Sequence, residues 1–439
     1  ENTQDCKASG GVCQGGTCIS GCGASGKLTN EGCDYWAVDM DNGNVGDPSS
    51  SSPFAVIVSN LNDTSTSVTI TGQSSAGATP TTLAAGEVAP NALSIFEINP
   101  QNMGGSGLFW KALRVESSGP IVAYQFNPLS NVEVYSNDAS LLLPSNTFGT
   151  EYVVVSRAQI PIEVGAFNST IAIVAREAGT QVTITPSAPT AAGVGILALA
   201  AGQTATVTLE PYQVLNIQSN MDGADLTGTI ITSDKPIGVF GGHEAAVSGT
   251  QCCADHIEQQ LFPVATWGKT YIATKSFPRG LEKDYWRIVA AYDGTQVTVA
   301  PMVQGVPGTI TLNRGQYYEL QTEKDIVLTS NNPVMVAQLL PSSFEIVGPP
   351  SCVSSSECLT GYSCDTFFGA GECSQISGSC FSNSDCPSGH ICVDAGGLFG
   401  PSCEPMGDPA LILSAPVEQF RDRYVFLSPT NYLDDYVNI

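Results

Sequence analysis

Charge is scarce in this chain: Asp, Glu, Lys and Arg make up 13% of its 439 residues, about half the usual share. Bases are scarcer still, 16 against 41 acids, leaving a formal charge of −25. Such a surface repels phosphate backbones and anionic headgroups, so nucleic acid and membrane surfaces are poor partners. It suits cation binding, or simply solubility at high local concentration. No apolar run reaches the ~18 residues of a spanning helix, so no membrane insertion is expected. No amphipathic segment of helical length stands out. Histidine is rare, with three residues in all. No Cys-x-x-Cys occurs, which argues against a zinc array. No Gly-x-Ser-x-Gly elbow is present either.

What the chain has in quantity is Gly (45) and Pro (27), the punctuation of short strands joined by tight turns. It also repeats itself. A Pro-x3-aromatic-x3-Tyr signature occurs at Pro144/Phe148/Tyr152, Pro263/Trp267/Tyr271 and Pro416/Phe420/Tyr424. The first two lead to matching hairpin-like units, 176–186 and 291–301, in which an apolar strand, a Gly turn and an alternating Val-Thr-Ile or Val-Thr-Val run follow one another. That is hairpin chemistry. Each unit closes on a Pro-led apolar strand, from Pro236 or Pro333, and residues 54–126 echo the order with Val68-Thr69-Ile70 and Pro120-Ile121-Val122. The expected fold is all-β: tandem β-sandwich-like modules with a small disulfide-rich insertion. The boundaries read as a Cys-rich N-terminal cap (1–34), β modules at 35–143, 144–262 and 263–349, a duplicated Cys-rich insertion (350–404), and an incomplete module or strand-exchange segment (405–439).

The fifteen cysteines cluster. Cys6, Cys13, Cys18, Cys22 and Cys33 lie in the cap, Cys252 and Cys253 are adjacent, and the rest fill the insertion. Clusters with so little histidine read as disulfides made in an oxidising compartment. The insertion is a duplication: Cys352, Cys358, Cys364 and Cys373 in one half, Cys380, Cys386, Cys392 and Cys403 in the other. First-to-third and second-to-fourth pairing within each half is expected. Seven cysteines remain outside it, so one is free or intermolecular if the insertion pairs internally. Cys252 and Cys253 could close a ring with each other or bridge elsewhere. The chain opens Glu1-Asn2-Thr3 without a signal peptide, so it reads as a processed mature form. An extracellular or cell-surface location follows.

Two stretches resemble a known family. They are Asp225 to Ile230 through Ser233-Asp234-Lys235-Pro236 to Phe240-Gly241-Gly242-His243-Glu244, and Cys253-Ala254-Asp255-His256-Ile257-Glu258-Gln259-Gln260-Leu261 leading to Trp267-Gly268-Lys269. Together they resemble the IgGFc-binding protein N-terminal domain family, best over about 140–345 and more loosely over 33–130 and 405–439. The resemblance implies an extracellular, β-rich adhesion or matrix role without enzymatic activity. The Cys-rich insertion resembles small repeats appended to bacterial surface proteins.

His243, Glu244, Asp255, His256 and Glu258 form the one cluster with metal-ligand character, since imidazole and carboxylates suit zinc or a similar divalent cation. The plainer reading is a hydrogen-bonded core loop, pinned by Cys252 and Cys253 and folded against Trp267, with no cofactor. Asp39 to Asp47 has the composition of a calcium loop, but its glycine falls at position five and an EF-hand needs it at six; a simple Asn-Gly turn fits better. Gly21 to Leu28 nearly spells a phosphate loop but has Leu28 where Ser or Thr would hold magnesium. Asn62-Asp63-Thr64 and Asn168-Ser169-Thr170 are glycosylation sequons. No catalytic residue is identified. The expected function is a structural subunit of an extracellular fibre, sheath or matrix that self-associates head-to-tail, with strand exchange through the C-terminal segment. The alternative is a monomeric adhesion module for a glycan or glycoprotein.

Overall fold

The computed structural model describes residues 11–14, 17–20, 22, 29–43, 53–129, 136–161, 166–250, 253–346, 348, 351–359, 362–365, 371–375, 386, 390–393, 402–405 and 409–421. Among them the regular structure is all-β, interrupted only by short 3-10 turns. Two compact units emerge, one of residues 1–245 with 256–266, the other of 246–255 with 267–439.

Three large antiparallel sheets share one plan. Each is centred on one long strand: Leu113–Asn127, Ile230–Ala246 or Ile326–Leu339. A proline lies inside each, at Pro120, Pro236 and Pro333. Proline cannot donate to a ladder, and the long strand changes neighbours there. Before Pro120 it pairs with Gly32–Ala37 and Thr66–Gly72; after it, with Phe54–Asn60 and Asp138–Leu141. The second long strand does the same, pairing Gly149–Val153 and Thr180–Thr185 first, then Ser169–Ala175 and Asp255–Gln260. A strand that passes between layers in this way makes the corner of a sandwich. The period-two pattern supplies the faces. In Thr180–Thr185, Val182 and Ile184 are buried while Gln181 is exposed; Thr295–Ala300 repeats this with Val297 and Gln296. Gly179 and Gly294, both at φ 65°, turn the chain into these strands, a backbone conformation that glycine adopts without strain.

The signature has a physical meaning. Tyr152 Oη donates to Ile237 O at 2.6 Å and Tyr271 Oη to Val334 O at 2.5 Å; Tyr35 Oη donates to Ile121 O. Each acceptor is the carbonyl just after the proline of the long strand, so the tyrosine stitches the corner. Three residues before each tyrosine stands a glycine with no room for a side chain. A Cβ on Gly32 would lie 2.3 Å from Pro144 Cβ, on Gly149 2.4 Å from Pro263 Cβ, and on Gly268 2.2 Å from Pro416 Cβ. Each signature proline therefore seats on the opening strand of the repeat before it. The first repeat begins at Gly32, inside the stretch read as the cap.

One hydrophobic cluster serves the first two sheets, running from Tyr35, Trp36 and Phe54 to Val174, Val214 and Phe240. Trp36 meets Tyr212 edge-on with ring centroids 5.0 Å apart. The third sheet has its own core around Tyr271, Trp286 and Val336.

Leu411–Leu413 pairs with the end of Ile326–Leu339, the position that Asp138–Leu141 holds in the first sheet. It thus completes the third repeat, whereas the sequence suggested the start of another module. The long strand offers an unpaired edge there, and a short apolar strand gains its hydrogen bonds by filling it. Residues 422–439, and with them the expected strand exchange, lie outside the described residues. The Cys-rich stretch accordingly occupies one connection of the third repeat. It carries two hairpins, Tyr362–Asp365 with Glu372–Gln375 and His390–Val393 with Ser402–Pro405. Its bridges are Cys352–Cys364, Cys358–Cys373 and Cys386–Cys403, first to third and second to fourth. Cys392 is also disulfide-bonded, and Cys380 lies outside the described residues. Cys22 bridges Cys33, Cys13 stands opposite Cys18 in a small hairpin, and Cys253 is disulfide-bonded. Cys6 and Cys252 lie outside the described residues.

Candidate functional site

The five residues with metal-ligand character do not converge. His243 and Glu244 end the strand Ile230–Ala246, where successive side chains leave on opposite faces. His243 is fully buried; its Nε2 lies 2.9 Å from Ala158 O and its Nδ1 accepts from Ala245 N at 3.1 Å. Burial pushes its pKa down to about 3, so the ring is neutral. A neutral imidazole has one donor and one acceptor, and both are engaged, which leaves no lone pair for a metal. Asp255 is buried at the start of the strand Asp255–Gln260. Among the described residues, the one group of three His, Cys, Asp or Glu side chains with ligand atoms within 4.8 Å of one another is Cys352, Cys358 and Cys373, whose sulfurs are in disulfides.

The first unit instead builds two buried polar clusters. In one, Glu244 faces Asp41. Glu244 Oε2 accepts from Asn168 N at 2.6 Å and Asn168 Nδ2 at 3.0 Å. Gln218 Nε2 donates to Glu244 Oε1 at 2.7 Å and to Asp41 Oδ2 at 2.8 Å; Gly105 N also donates to Asp41 Oδ2, at 3.3 Å. Burial, then the charge of Asp41, pushes Glu244 up to about 8, and burial raises Asp41 as well. Gln218 Nε2 bridges the two carboxyls, and like charges held this close favour the protonated form.

The other cluster gathers Asp39, Asp138, His256 and Glu258. His256 Nε2 lies 3.5 Å from Glu258 Oε2, both side chains fully buried. Burial works against a charged His256, but the hydrogen bond and charge of Glu258, joined by the charge of Asp138, outweigh it and raise its pKa. Gln125 Nε2 donates to Glu258 Oε1 at 2.9 Å, and Asn127 Nδ2 to Glu258 Oε2 at 3.3 Å. Asp39 accepts from Gln101 N at 2.6 Å. Burial pushes both Asp39 and Asp138 up to about 7, against the pull of their backbone hydrogen bonds.

A ladder runs through this second cluster. Ser136 Oγ, Asp138 Oδ2 and Ser140 Oγ accept from the backbone N–H of His256, Glu258 and Gln260 at 2.7, 2.8 and 2.8 Å. The acceptors alternate because strand side chains do. Gln260 Oε1 returns a bond from Leu143 N at 2.6 Å. Side chains of the first repeat thus satisfy the edge of a strand belonging to the second.

The Asp39–Asp47 stretch is part of the same construction. Over its described half, Asp39 and Asp41 accept from Gln101, Gly105 and Gln218; residues 44–47 lie outside the described residues. The sequons are spoken for as well. Asn168 is bound to Glu244, with Ser169 and Thr170 fully buried. Asn62 Nδ2 donates to Asn60 Oδ1 at 2.6 Å and Pro120 O at 2.8 Å. Both amides are thus engaged within the fold, Asn62 at the corner beside Pro120 and Asn168 on Glu244. Of the phosphate-loop-like run only Cys22 is described, and it is tied to Cys33. Sequence reasoning missed Asp39, Asp41, Asp138, Gln125, Asn127 and Gln218 as members of these two clusters. The available signal was Gln125 and Asn127, polar residues inside the otherwise apolar run from Pro120 to Asn127.

The model of the family described as IgGFc binding protein matches residues 138–368, more than half of the chain. The chain belongs to the IgGFc-binding protein family. The matched span holds the second repeat and the third as far as its Cys-rich connection, together with Asp138, Glu244, His256 and Glu258. A human relative, the IgGFc-binding protein, is 29% identical over 218 residues, which is 49% of this chain and 4% of that protein. The chain therefore spans a small fraction of that relative's length. No solved structure matches the chain. Within this family chain, the polar clusters close the joint between the first two repeats.

Proposed function

We propose that this chain is a non-enzymatic extracellular module that works by binding a protein or glycoprotein. Family membership carries the reading, since the human relative is named for binding the Fc region of IgG. Bridges such as Cys352–Cys364 and Cys358–Cys373 belong in an oxidising, extracellular setting. The described residues contain no helix long and apolar enough to cross a membrane. The absence of an enzymatic role is supported by where the titratable groups sit: Asp39, His256 and Glu258 are buried in a joint, with Asp138 half-buried beside them. No resident cofactor is required by this reading.

The test is surface plasmon resonance of immobilised chain with IgG Fc and with purified mucin as probes. Saturable binding to either, lost after reduction and heat denaturation of the chain, is the expected result. Flat traces for both would overturn it. A second reading, subunit of a self-associating fibre or sheath, draws support from the Gly–Pro seat, which is used three times in series. Regular filaments in electron micrographs of native material are its expected outcome, and dispersed particles would count against it.

A further inference from the structure

The second repeat contains a cavity that neither the family relationship nor the polar network uses. It has a volume of about 260 Å³ and is walled by Ile184, Ile196, Leu199, Val207, Leu215 and Ile217. Leu197 also lines it, yet is 82% exposed, which marks the mouth.

The polar residues of the wall are turned elsewhere. Thr190 Oγ1 accepts from Leu199 N at 3.0 Å, Gln203 Oε1 accepts from Ala200 N at 3.1 Å, and Thr206 Oγ1 pairs with Thr183 Oγ1 at 2.9 Å. No Lys, Arg, His, Asp or Glu lines the space. An occupant would find no counter-charge.

The third repeat shows what the same space looks like when filled. There the corresponding connection, 301–309, sends Val303 and Val306 onto the core. In the second repeat the connection is the longer 186–204, and it folds as a flap. Val194 N donates to Ser106 O at 3.1 Å and Leu108 N donates to Val194 O at 2.8 Å, so one side of the flap is stitched to a neighbouring strand. Protein interiors seldom keep voids wider than a water. Apolar cavities of about 150 Å³ stay dry and accept benzene.

We propose that this cavity is a binding site for an uncharged hydrocarbon group, an aromatic ring or short alkyl chain carried by a small neutral molecule. The wall chemistry selects against anionic lipids, because no cationic side chain lines it to meet a carboxylate.

Fluorescence titration of the full chain with N-phenyl-1-naphthylamine tests this, with 1-decanol and decanoate as competitors. Saturable one-to-one binding is expected, displaced by decanol and at least about tenfold less well by decanoate, the ratio that a lost ion pair or hydrogen bond of ordinary strength produces. Leu215→Trp, which fills the cavity, should abolish binding while the far-UV circular dichroism is retained. The exposed Leu197→Ser change leaves the core untouched and should weaken binding by about fivefold, the loss of part of one leucine's apolar contact. Absence of saturable binding to the native chain would overturn the proposal, and so would binding that both substitutions leave unchanged.

Discussion

Asp39, Glu244, His256 and Glu258 are buried in the first unit, with Asp41 and Asp138 half-buried beside them, and the protons of the shifted carboxyls among them bear on its stability. Asp39 and Asp138 are pushed to about 7 and Glu244 to about 8, above their unfolded values near 4. A group whose pKa is raised by folding stabilises fully below its unfolded pKa and loses that contribution as pH climbs through the folded one. His243, lowered to about 3, acts in the opposite sense but only below its unfolded value of about 6.5. Between pH 6.5 and pH 9 the acids therefore act without that opposition, and the melting temperature should fall across this window. Calorimetry at both ends checks it, and Glu244→Gln should flatten the slope. Removing one side of the buried pair is expected to be harsher. Glu258→Ala leaves His256 without its acceptor and should cost about 3–5 kcal/mol of unfolding free energy, read from denaturant curves.

At the level of elements, the signature that marks the repeat is a joint. The proline fills the space that a side chain would take on Gly32, Gly149 or Gly268, and the tyrosine three residues on ties the corner of the long strand. Gly149→Ala would place a Cβ 2.4 Å from Pro263 and should destabilise by about 1–3 kcal/mol, the usual cost of overpacking. Gly104 has nothing within 4 Å of its would-be Cβ, so Gly104→Ala is the control and should change the unfolding free energy by less than about 0.5 kcal/mol. The same comparison shows how legible the elements were. The signature was visible as spacing, because the spacing is a local property. Its meaning was not, because Gly149 and Pro263 meet only after a whole repeat has folded between them.

At the level of the molecule, the chain is a serial construction with one elaborated connection. The Cys-rich stretch leaves the third sheet after Leu339 and returns at Leu411, and these two residues face each other in register. It has a small core of its own around Ile346, Cys352, Cys358 and Tyr362. The sheet closes across its base. Replacing 350–404 by a short Gly/Ser loop should leave the β-sheet circular dichroism and a cooperative melt in place, since loop length enters closure entropy only logarithmically. Collapse of the melt to a broad, non-cooperative transition would show instead that the insertion holds the third repeat together.

The alternating Val-Thr-Ile runs, the Pro-led long strands and the cysteine duplication were enough, read along the chain, to determine an all-β repeat protein with a stapled insertion. Each of those signals lies within a few residues, and strand faces and tight turns are set over that distance. Only the tertiary structure decided what the charged residues are for. His243, Glu244, His256 and Glu258 looked like ligands because they are close in sequence, but alternation sends His243 and Glu244 to opposite faces, His256 and Glu258 pair with each other, and the groups that surround the carboxylates, Asp41, Gln125, Asn127, Asp138 and Gln218, come from elsewhere in the same unit. A buried carboxyl's chemistry depends on what has closed over it, and that is a property of the folded chain.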